Sequence, residues 1–455
     1  MNKKPSENGI SFAEDGRSVT VMPGSRSGTA YVPSSKSVAH RMLICAALSD
    51  SRTEITIREK SKDIDATVSC LKALGAVITG STEGNVTHFV IEPIGRGGQC
   101  DSEPVTLNVG ESGSTLRLLV PVVCALGKTA LFTMEGRLPE RPMDALLDAL
   151  SGGGGTFSRC GNELFVSGRL RSGSYSLPGN ISSQFITGML LALPLLEGVS
   201  TLTIEGKTES QDYIKLTEDA LIKSGIEFSF ADGQYTVPGC QRYSLSGGHF
   251  IEGDWSGAAF LLCAGGASVN GITVCGLRAD SAQGDKRIID VLRAFGASVE
   301  QTDDSVTVRK KTLRGIDADA SGIPDLVPAI AALAAISEGI TRITGAARLR
   351  LKESDRLIST ASMIKSIGGE VFTQPDGLVI AGRNVLSGGS VDSFGDHRIA
   401  MAAAISAARA KGPVVISDPC CVSKSFPDFW DVLKNDITLE RGTGCGCLKE
   451  AGENE

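Results

Sequence analysis

Residues 34–48, SSKSVAHRMLICAAL, set the plan on which the chain is built. A polar, cationic opening with Lys36, Ser37 and Arg41 runs into an Ala/Leu-rich apolar segment, the composition of a helix buried on all sides beyond its first turn. The plan returns five times: ESGSTLRLLVPVVCAL (111–126), SSQFITGMLLALPLL (182–196), GDWSGAAFLLCAGG (253–266), PDLVPAIAALAAISEG (324–339) and GDHRIAMAAAISAARAKG (395–412). With Ser37, Ser112, Ser183, Asp254, Asp325 and Asp396 as markers, the spacing is 71 to 75 residues throughout, the sign of a repeat architecture.

Between these segments runs a second series in which an amphipathic helix stops at glycine and passes into a β-branched strand: CLKALGAVITG (70–80), DALIKSGIEFSF (219–230), VLRAFGASVEQ (291–301) and MIKSIGGEVFTQ (363–374), with a degraded copy at DALLDALSGGGGTFSR (144–159). Each unit therefore reads as α/β, with one buried and one surface helix. Only 59 residues follow Asp396, too few to complete the sixth unit, so residues 1–34 are expected to supply its missing strand. The expected fold is α/β (α+β): two domains of three repeated βαβαββ-like units each, six in all. Residues 35–249 form one domain, inserted into a second made of 1–34 and 250–455, with the tail after about residue 440 flexible. Two crossings, near Ser35 and near Gly248 to Gly253, make a hinge. Helix N-termini carry partial positive charge and unpaired N–H groups, so six such ends converging between the domains would form an anion-receptive cleft.

Composition narrows the function. At 455 residues the chain exceeds what one core supports, which is the prior for two domains or three. The formal charge of −7 argues against nucleic acid and anionic membranes as partners, so any basic site is a local concentration in an acidic protein. Aromatics make up only 5% and glycine supplies 54 positions, which points to tight turns and small aliphatic cores rather than an aromatic-lined pocket. The apolar runs are too short to span a bilayer and the opening residues carry acids without an apolar signal core, so the expected location is cytoplasmic. The twelve cysteines are scattered, several (Cys45, Cys124, Cys263) inside apolar helices, which suits a reducing compartment. Neither Cys420-Cys421 nor Cys445 and Cys447 has metal-site spacing, so no metal is expected. GxxxxGK[ST], GxGxxG after a strand, HExxH and GxSxG are all missing, and no cofactor is expected.

Lys36, Ser37 and Arg41 open the first buried helix, where an anion is the natural partner. The run Arg348-Leu-Arg350-Leu-Lys352-Glu353-Ser-Asp355-Arg356 reads either as a surface helix laced with ion pairs or as a site, because Lys352 and Arg356 at i,i+4 on one face would repel unless an anion lay between them. Asp325 either caps its helix or faces the cations as a general base. The same ambiguity holds for Asp396, beside His397 and Arg398, and His397 alone carries no argument. Arg117, Arg141 and Lys424 add cations, while Ser182, Ser183, Gln184, Glu209, Ser210 and Tyr213 add further polar groups. This is an inventory for recognising two anions, with carboxylates for acid–base work.

Taken together, SSKSVAHR, ESGSTLR, ERP, SSQF, IPD, LKESDR, GDHR and KSFPDFW, in this order from about Tyr31 to Trp430, resemble the 5-enolpyruvylshikimate-3-phosphate synthases, or 3-phosphoshikimate 1-carboxyvinyltransferases, of the enolpyruvyl transferase family. The resemblance implies transfer of the enolpyruvyl group of phosphoenolpyruvate to the 5-hydroxyl of shikimate 3-phosphate through a tetrahedral adduct that expels phosphate. That reaction belongs to chorismate and aromatic amino acid biosynthesis and is the glyphosate target. It further implies a monomer without cofactor. By motif, Lys36, Ser37, Arg41, Ser182, Ser183, Gln184, Ser210, Tyr213, Asp325 and Lys352 would meet shikimate 3-phosphate. Lys36, Gly113, Arg141, Gln184, Arg356, Arg398 and Lys424 would surround phosphoenolpyruvate. Asp325 would be the base, and Glu353 or Lys36 would deliver the proton. Two departures stand out: Glu111 replaces an Asn common in the family's second motif, and Arg348 another Asn, which puts glyphosate sensitivity in question. The sister transferase acting on UDP-N-acetylglucosamine would favour a reactive Cys in a mobile loop, whereas Cys124 lies in an apolar helix. A non-catalytic sugar-phosphate-binding protein would not need Asp325 and Glu353 beside the cations.

Overall fold

The structure, a computed structural model, describes residues 9–95, 103–206 and 211–440. Ser210 and the tail after 440 lie outside them.

The repeat seen in the sequence is a repeat in space. The second unit shows it whole: the strand Val105–Gly110 enters the buried helix Gly113–Ala125, returns parallel as Ala130–Met134, passes through the surface helix Asp144–Gly152, and closes with the hairpin Gly155–Cys160 and Glu163–Gly168. Among the described residues six sheets of four or five strands follow this order. The surface helices end where the sequence places glycine, because Gly75, Gly154, Gly225, Gly296 and Gly368 all adopt positive φ, the left-handed turn that lets the chain leave the helix for the next strand.

The buried helices are Lys36–Leu48, Gly113–Ala125, Ser183–Ala192, Trp255–Gly265, Val327–Ala335 and His397–Ser406. Apolar faces all round suit them to a core of helices wrapped by sheets. One apolar cluster gathers residues from Ala39 to Ile251, and another joins Ile10 to Val32 with Trp255 to Ile437. Packing is closest between Gly113–Ala125 and Ser183–Ala192. Pro121 lacks the N–H that would bond the Arg117 carbonyl four residues earlier, and a Cβ at Gly188 would run into that carbonyl.

The N-terminal segment completes the sixth unit, as expected: Ser18–Val21 pairs antiparallel with Val414–Ser417, and Ile10–Phe12 pairs with Ser18–Val21. The sequence did not disclose a strand exchange at the crossings. Arg26–Tyr31, which leads into the first buried helix, lies parallel to Ile272–Cys275 in the fourth unit's sheet. Gly247–Phe250, which leads into the fourth buried helix, lies parallel to Thr53–Arg58 in the first unit's sheet. Each crossing segment thus leaves its strand in one half and its helix in the other, and the two meet at an antiparallel bridge between Ser34 and Gly253.

Candidate active site

The buried helices turn their N-termini toward one cavity of about 120 Å³ between the two halves. Five of the six are capped by a side chain: Ser35, Ser112, Ser182, Asp254 and Asp396 each accept a hydrogen bond from a first-turn N–H. The fifth in the series is the exception. Asp325 sits in the short turn Pro324–Leu326 and caps nothing. Its carboxylate instead pairs with Arg356 at 2.8 Å, Arg398 at 3.2 Å and Lys352 at 3.5 Å.

This resolves the like-charge conflict read from the sequence, and corrects its geometry. Lys352 is not on the helix with Arg356: it follows the turn Ala347–Leu351, and the helix Arg356–Ser366 begins at Arg356 itself, capped by Asp355. The anion between the two cations is Asp325. Arg356, almost fully buried, also bonds Glu353 at 2.6 Å and Asp396 at 2.8 Å. Burial pushes the Asp325 carboxyl upward, but Arg398, Lys352 and Arg356 outweigh it and hold the group well below the usual carboxylate range. Burial likewise raises Glu353, and Arg356, Arg141 and Lys424 bring it well below its ordinary value.

The opposite wall is chemically different. Arg41 is 4% exposed, yet its guanidinium donates only to neutral acceptors: Thr217 and Thr187 hydroxyls and the Ser37 and Tyr213 carbonyls. Arg117 donates to the Gln184 side chain at 2.8 Å and the Pro142 carbonyl at 3.1 Å, while Gln184 donates in turn to Ser114. Arg141 lies against the glycine that opens the second buried helix, since a Cβ at Gly113 would come within 2.9 Å of its guanidinium, and its Nε has no hydrogen-bond partner. Among the described residues none of these three is within ion-pair distance of a carboxylate. Burial lowers Arg41 to about 10 and Arg117 to about 9, the price of a desolvated cation without a counter-ion. Lys36 is the paired member of this wall, 3.0 Å from Asp63. Burial lowers it, but Asp63 and Glu353 raise it further, so the ammonium stays charged.

The structure thus gathers Lys36, Ser37, Arg41, Gly113, Arg141, Ser182, Ser183, Gln184, Tyr213, Asp325, Lys352, Glu353, Arg356 and Arg398 around one cavity. Lys424 stands apart from the cavity wall. Its ammonium pairs at 2.6 Å with Glu111, the acid that replaces the family's Asn, so the two halves are bridged where an anion site was expected. Sequence reasoning passed over Asp63, which looks like an ordinary first-turn acid of a surface helix, and Ser256. His397, which carried no argument by itself, lines the cavity with neither ring nitrogen hydrogen-bonded among the described residues and Nδ1 3.8 Å from Asp396, and burial keeps it neutral, well below the usual imidazole range. Its signal was the apolar sequence that follows it, which leaves an imidazole at that helix start no solvent.

Eight Lys and Arg and four Asp and Glu side chains line the cavity, in a chain whose overall charge is −7. Fold and cleft together define a two-domain α/β enzyme class that holds small, multiply charged anions between helix N-termini and presents carboxylates to them. Residues 22–433 match the family model described as EPSP synthase (3-phosphoshikimate 1-carboxyvinyltransferase), and the chain belongs to that family. It is 40% identical over 428 residues to the 3-phosphoshikimate 1-carboxyvinyltransferase of Clostridium kluyveri, covering 92% of this chain and 96% of that one. It is 40% identical over 421 residues to the enzyme of the same name from Clostridium acetobutylicum, covering 91% and 96%. The solved EPSP synthase of Acinetobacter baumannii superposes with a TM-score of 0.77 at 25% identity, over 93% of this chain and 100% of that one. No described helix is long and apolar enough to cross a membrane.

Proposed function

We propose that this chain carries out its family's reaction with the cleft residues in the following roles. The enzyme transfers the enolpyruvyl group of phosphoenolpyruvate to the 5-hydroxyl of shikimate 3-phosphate and releases phosphate. Arg41, with Ser182, Ser183 and Tyr213, holds shikimate 3-phosphate, and Lys352 reaches its hydroxyls beside Asp325. Arg141, Arg356, Arg398, Gln184 and the Gly113 N–H take phosphoenolpyruvate, and Lys36 lies between the two ligands. Residues 35–249 close as one body on 1–34 plus 250–455, and the protein acts as a cytoplasmic monomer.

The observation that carries this reading is the charge arrangement: on one wall Arg41, Arg117 and Arg141 have no carboxylate within ion-pair distance among the described residues, Lys36 alone pairing with Asp63, and on the other wall the cations are held by carboxylates. Arg356 and Arg398 are bound to Asp325, so a substrate anion must compete for them. Once the anion takes those guanidinium groups, Asp325 loses the charges that hold its carboxyl low and becomes a stronger base toward the substrate hydroxyl. Lys36, whose ammonium stays charged, protonates C3 of phosphoenolpyruvate as C2 is attacked, or Glu353 does so once the anion has drawn Arg356 away and its carboxylate has taken up a proton. In the elimination the same group takes a proton back from C3 as the C–O bond to phosphate breaks. The cation cluster stabilises the charge that develops as phosphate departs.

The test is phosphate release by the purified protein given phosphoenolpyruvate with shikimate 3-phosphate, and separately with UDP-N-acetylglucosamine. Release with the first acceptor alone is expected. Release with the second would move the chain to the sister reaction, against which Cys124 argues, since burial pushes its thiol up to about 12. Silence with both would leave a binding protein.

A further inference from the structure

Directly behind Asp325 stands a second buried carboxylate to which the reaction above gives no part. Asp285 is 3% exposed. Its Oδ2 accepts hydrogen bonds from Ser256 Oγ and, at 3.1 Å, from Tyr213 Oη, and its Oδ1 has no hydrogen-bond partner among the described residues. The same Tyr213 Oη lies 3.4 Å from Asp325 Oδ2. A phenol has one proton to donate, so two carboxylates compete for it, with the shorter contact toward Asp285.

The chain holds this arrangement from both halves. Gln283, two residues earlier, accepts from Ser35 Oγ at 2.9 Å and the Trp255 N–H at 3.2 Å, and donates to the Gly253 carbonyl at 2.9 Å, which anchors the segment to both crossings. Gly284 lies flat against Asp212, where a Cβ would come within 2.6 Å, and Arg287 pairs with Asp212 at 2.5 Å. Asp212 and Tyr213 are in the first turn of the helix Gln211–Lys223 in the inserted half. The contact of 283–287 with that helix start therefore sets where Tyr213 Oη stands between the two carboxylates, and the line of three groups exists only while the halves are together.

Resting on the reaction proposed above, we infer that Asp285 is a positioning residue for Asp325, acting through Tyr213 as the far end of a three-group proton relay. With Asp285 ionised, the phenol proton lies toward Asp285, so that Asp325 Oδ2, which takes Arg398 at 3.2 Å in the ligand-free protein, can accept the substrate proton once the anion has drawn Arg398 away. When Asp325 has taken the proton of the substrate hydroxyl, its O–H bond breaks as a new O–H bond forms at Tyr213 Oη, and the phenol's own proton passes to Asp285 Oδ2. Asp325 is returned to its ionised form beside Lys352, Tyr213 is unchanged, and Asp285 is neutral until the same path, run backwards, gives the proton to the departing phosphate and leaves Asp285 ionised for the next turnover. The direction suits the surroundings of each group. Burial and then Asp325 push Asp285 up to about 6, with Asp254 adding to the rise and Ser256 and Arg398 opposing it, while in the ligand-free protein the cations hold Asp325 far lower, and Lys352 stays beside Asp325 when the anion has taken Arg356 and Arg398. Tyr213 is raised by burial and by Asp285 and Asp325, so it passes protons while staying a phenol.

The test is phosphate release against pH for the wild type, Asp285→Asn, Ser256→Ala, Tyr213→Phe and the Asp285→Asn/Tyr213→Phe double variant. The relay needs ionised Asp285, so wild-type kcat should fall on the acid side with a midpoint of about 6. Asp285→Asn should lose that limb and lower kcat by roughly tenfold at pH 7.5 with KM for phosphoenolpyruvate within about twofold, less than the loss of a direct acid or base. Ser256→Ala, which removes a bond that favours the ionised form, should move the midpoint to higher pH. The double variant should be no slower than Tyr213→Phe alone. An unaltered limb in Asp285→Asn, or additive losses in the double variant, would overturn the relay. If Asp285→Asn does not fold, Ser256→Ala decides: an unmoved midpoint rejects the proposal. A wild type that turns over with a flat profile sinks this inference alone, whereas a wild type with no turnover sinks the proposed reaction and the relay with it.

Discussion

The two walls of the cleft are built from the same repeated unit and use their arginines in opposite ways. In the inserted half, among the described residues, Arg41 and Arg117 donate only to hydroxyls, amide oxygens and carbonyls, and Arg141 has a buried Nε with no acceptor. In the second half, Arg356, Arg398 and Lys352 all converge on Asp325, and Arg356 also holds Glu353 and Asp396. A buried charge without a counter-ion is a cost to the free protein that a ligand can remove. A buried charge with its counter-ion is part of the folded structure, and ligand must compete for it. The first wall is therefore built to bind, and the second to couple binding to the release of a base.

The sharpest way to break this comparison is at Asp325. Asp325→Ala should lower kcat by about 10² to 10⁴ at saturating substrates, with KM for phosphoenolpyruvate unchanged or lower because Arg356 and Arg398 lose a competitor. Near-normal phosphate release would remove Asp325 from the chemistry.

Next in size is a matched pair of substitutions, one in each wall, read by denaturant unfolding of the ligand-free protein. Arg356→Ala takes the Arg partner from Glu353 and Asp396 and one of three cations from Asp325, and should cost about 3–5 kcal/mol. Arg41→Ala removes an uncompensated cation and should leave stability within about 1 kcal/mol or raise it, while weakening binding of shikimate 3-phosphate by roughly a hundredfold. Equal losses of stability in both variants would mean that the walls do not differ in the way described.

The smallest effect should come from Glu111→Gln. The Lys424 pair is half exposed on the Glu111 side, so its loss should change stability by no more than about 1 kcal/mol. The freed ammonium should lower KM for phosphoenolpyruvate. A higher KM would show instead that Glu111 helps hold the halves closed.

Much of this was legible in the sequence because it rests on local rules. The six polar-to-apolar transitions, spaced at 71 to 75 residues, and the glycines that end the surface helices follow from burial pattern and backbone sterics, which are properties of short stretches. Cations at the starts of apolar helices could be picked out for the same reason, since nothing in the local sequence could solvate Arg41 or Arg398. Contacts between distant stretches could not be read this way. Asp63 looked like an ordinary helix-start acid, and only the folded chain sets it 3.0 Å from Lys36. Lys352 and Arg356 looked like neighbours on a helix, and a turn separates them.

The sequence by itself determined that six similar α/β units exist, where their helices begin, and which residue types stand at those beginnings, because propensity, capping and periodicity act over a few residues. Tertiary structure decided which strand joins which sheet at the crossings, and which acid neutralises which base: that Asp325, alone in its series, leaves its helix uncapped to meet three cations, and that Asp285 waits behind it across a tyrosine from the other half. Those pairings join residues from about 30 to more than 100 positions apart, and their energies depend on burial that only the assembled halves create.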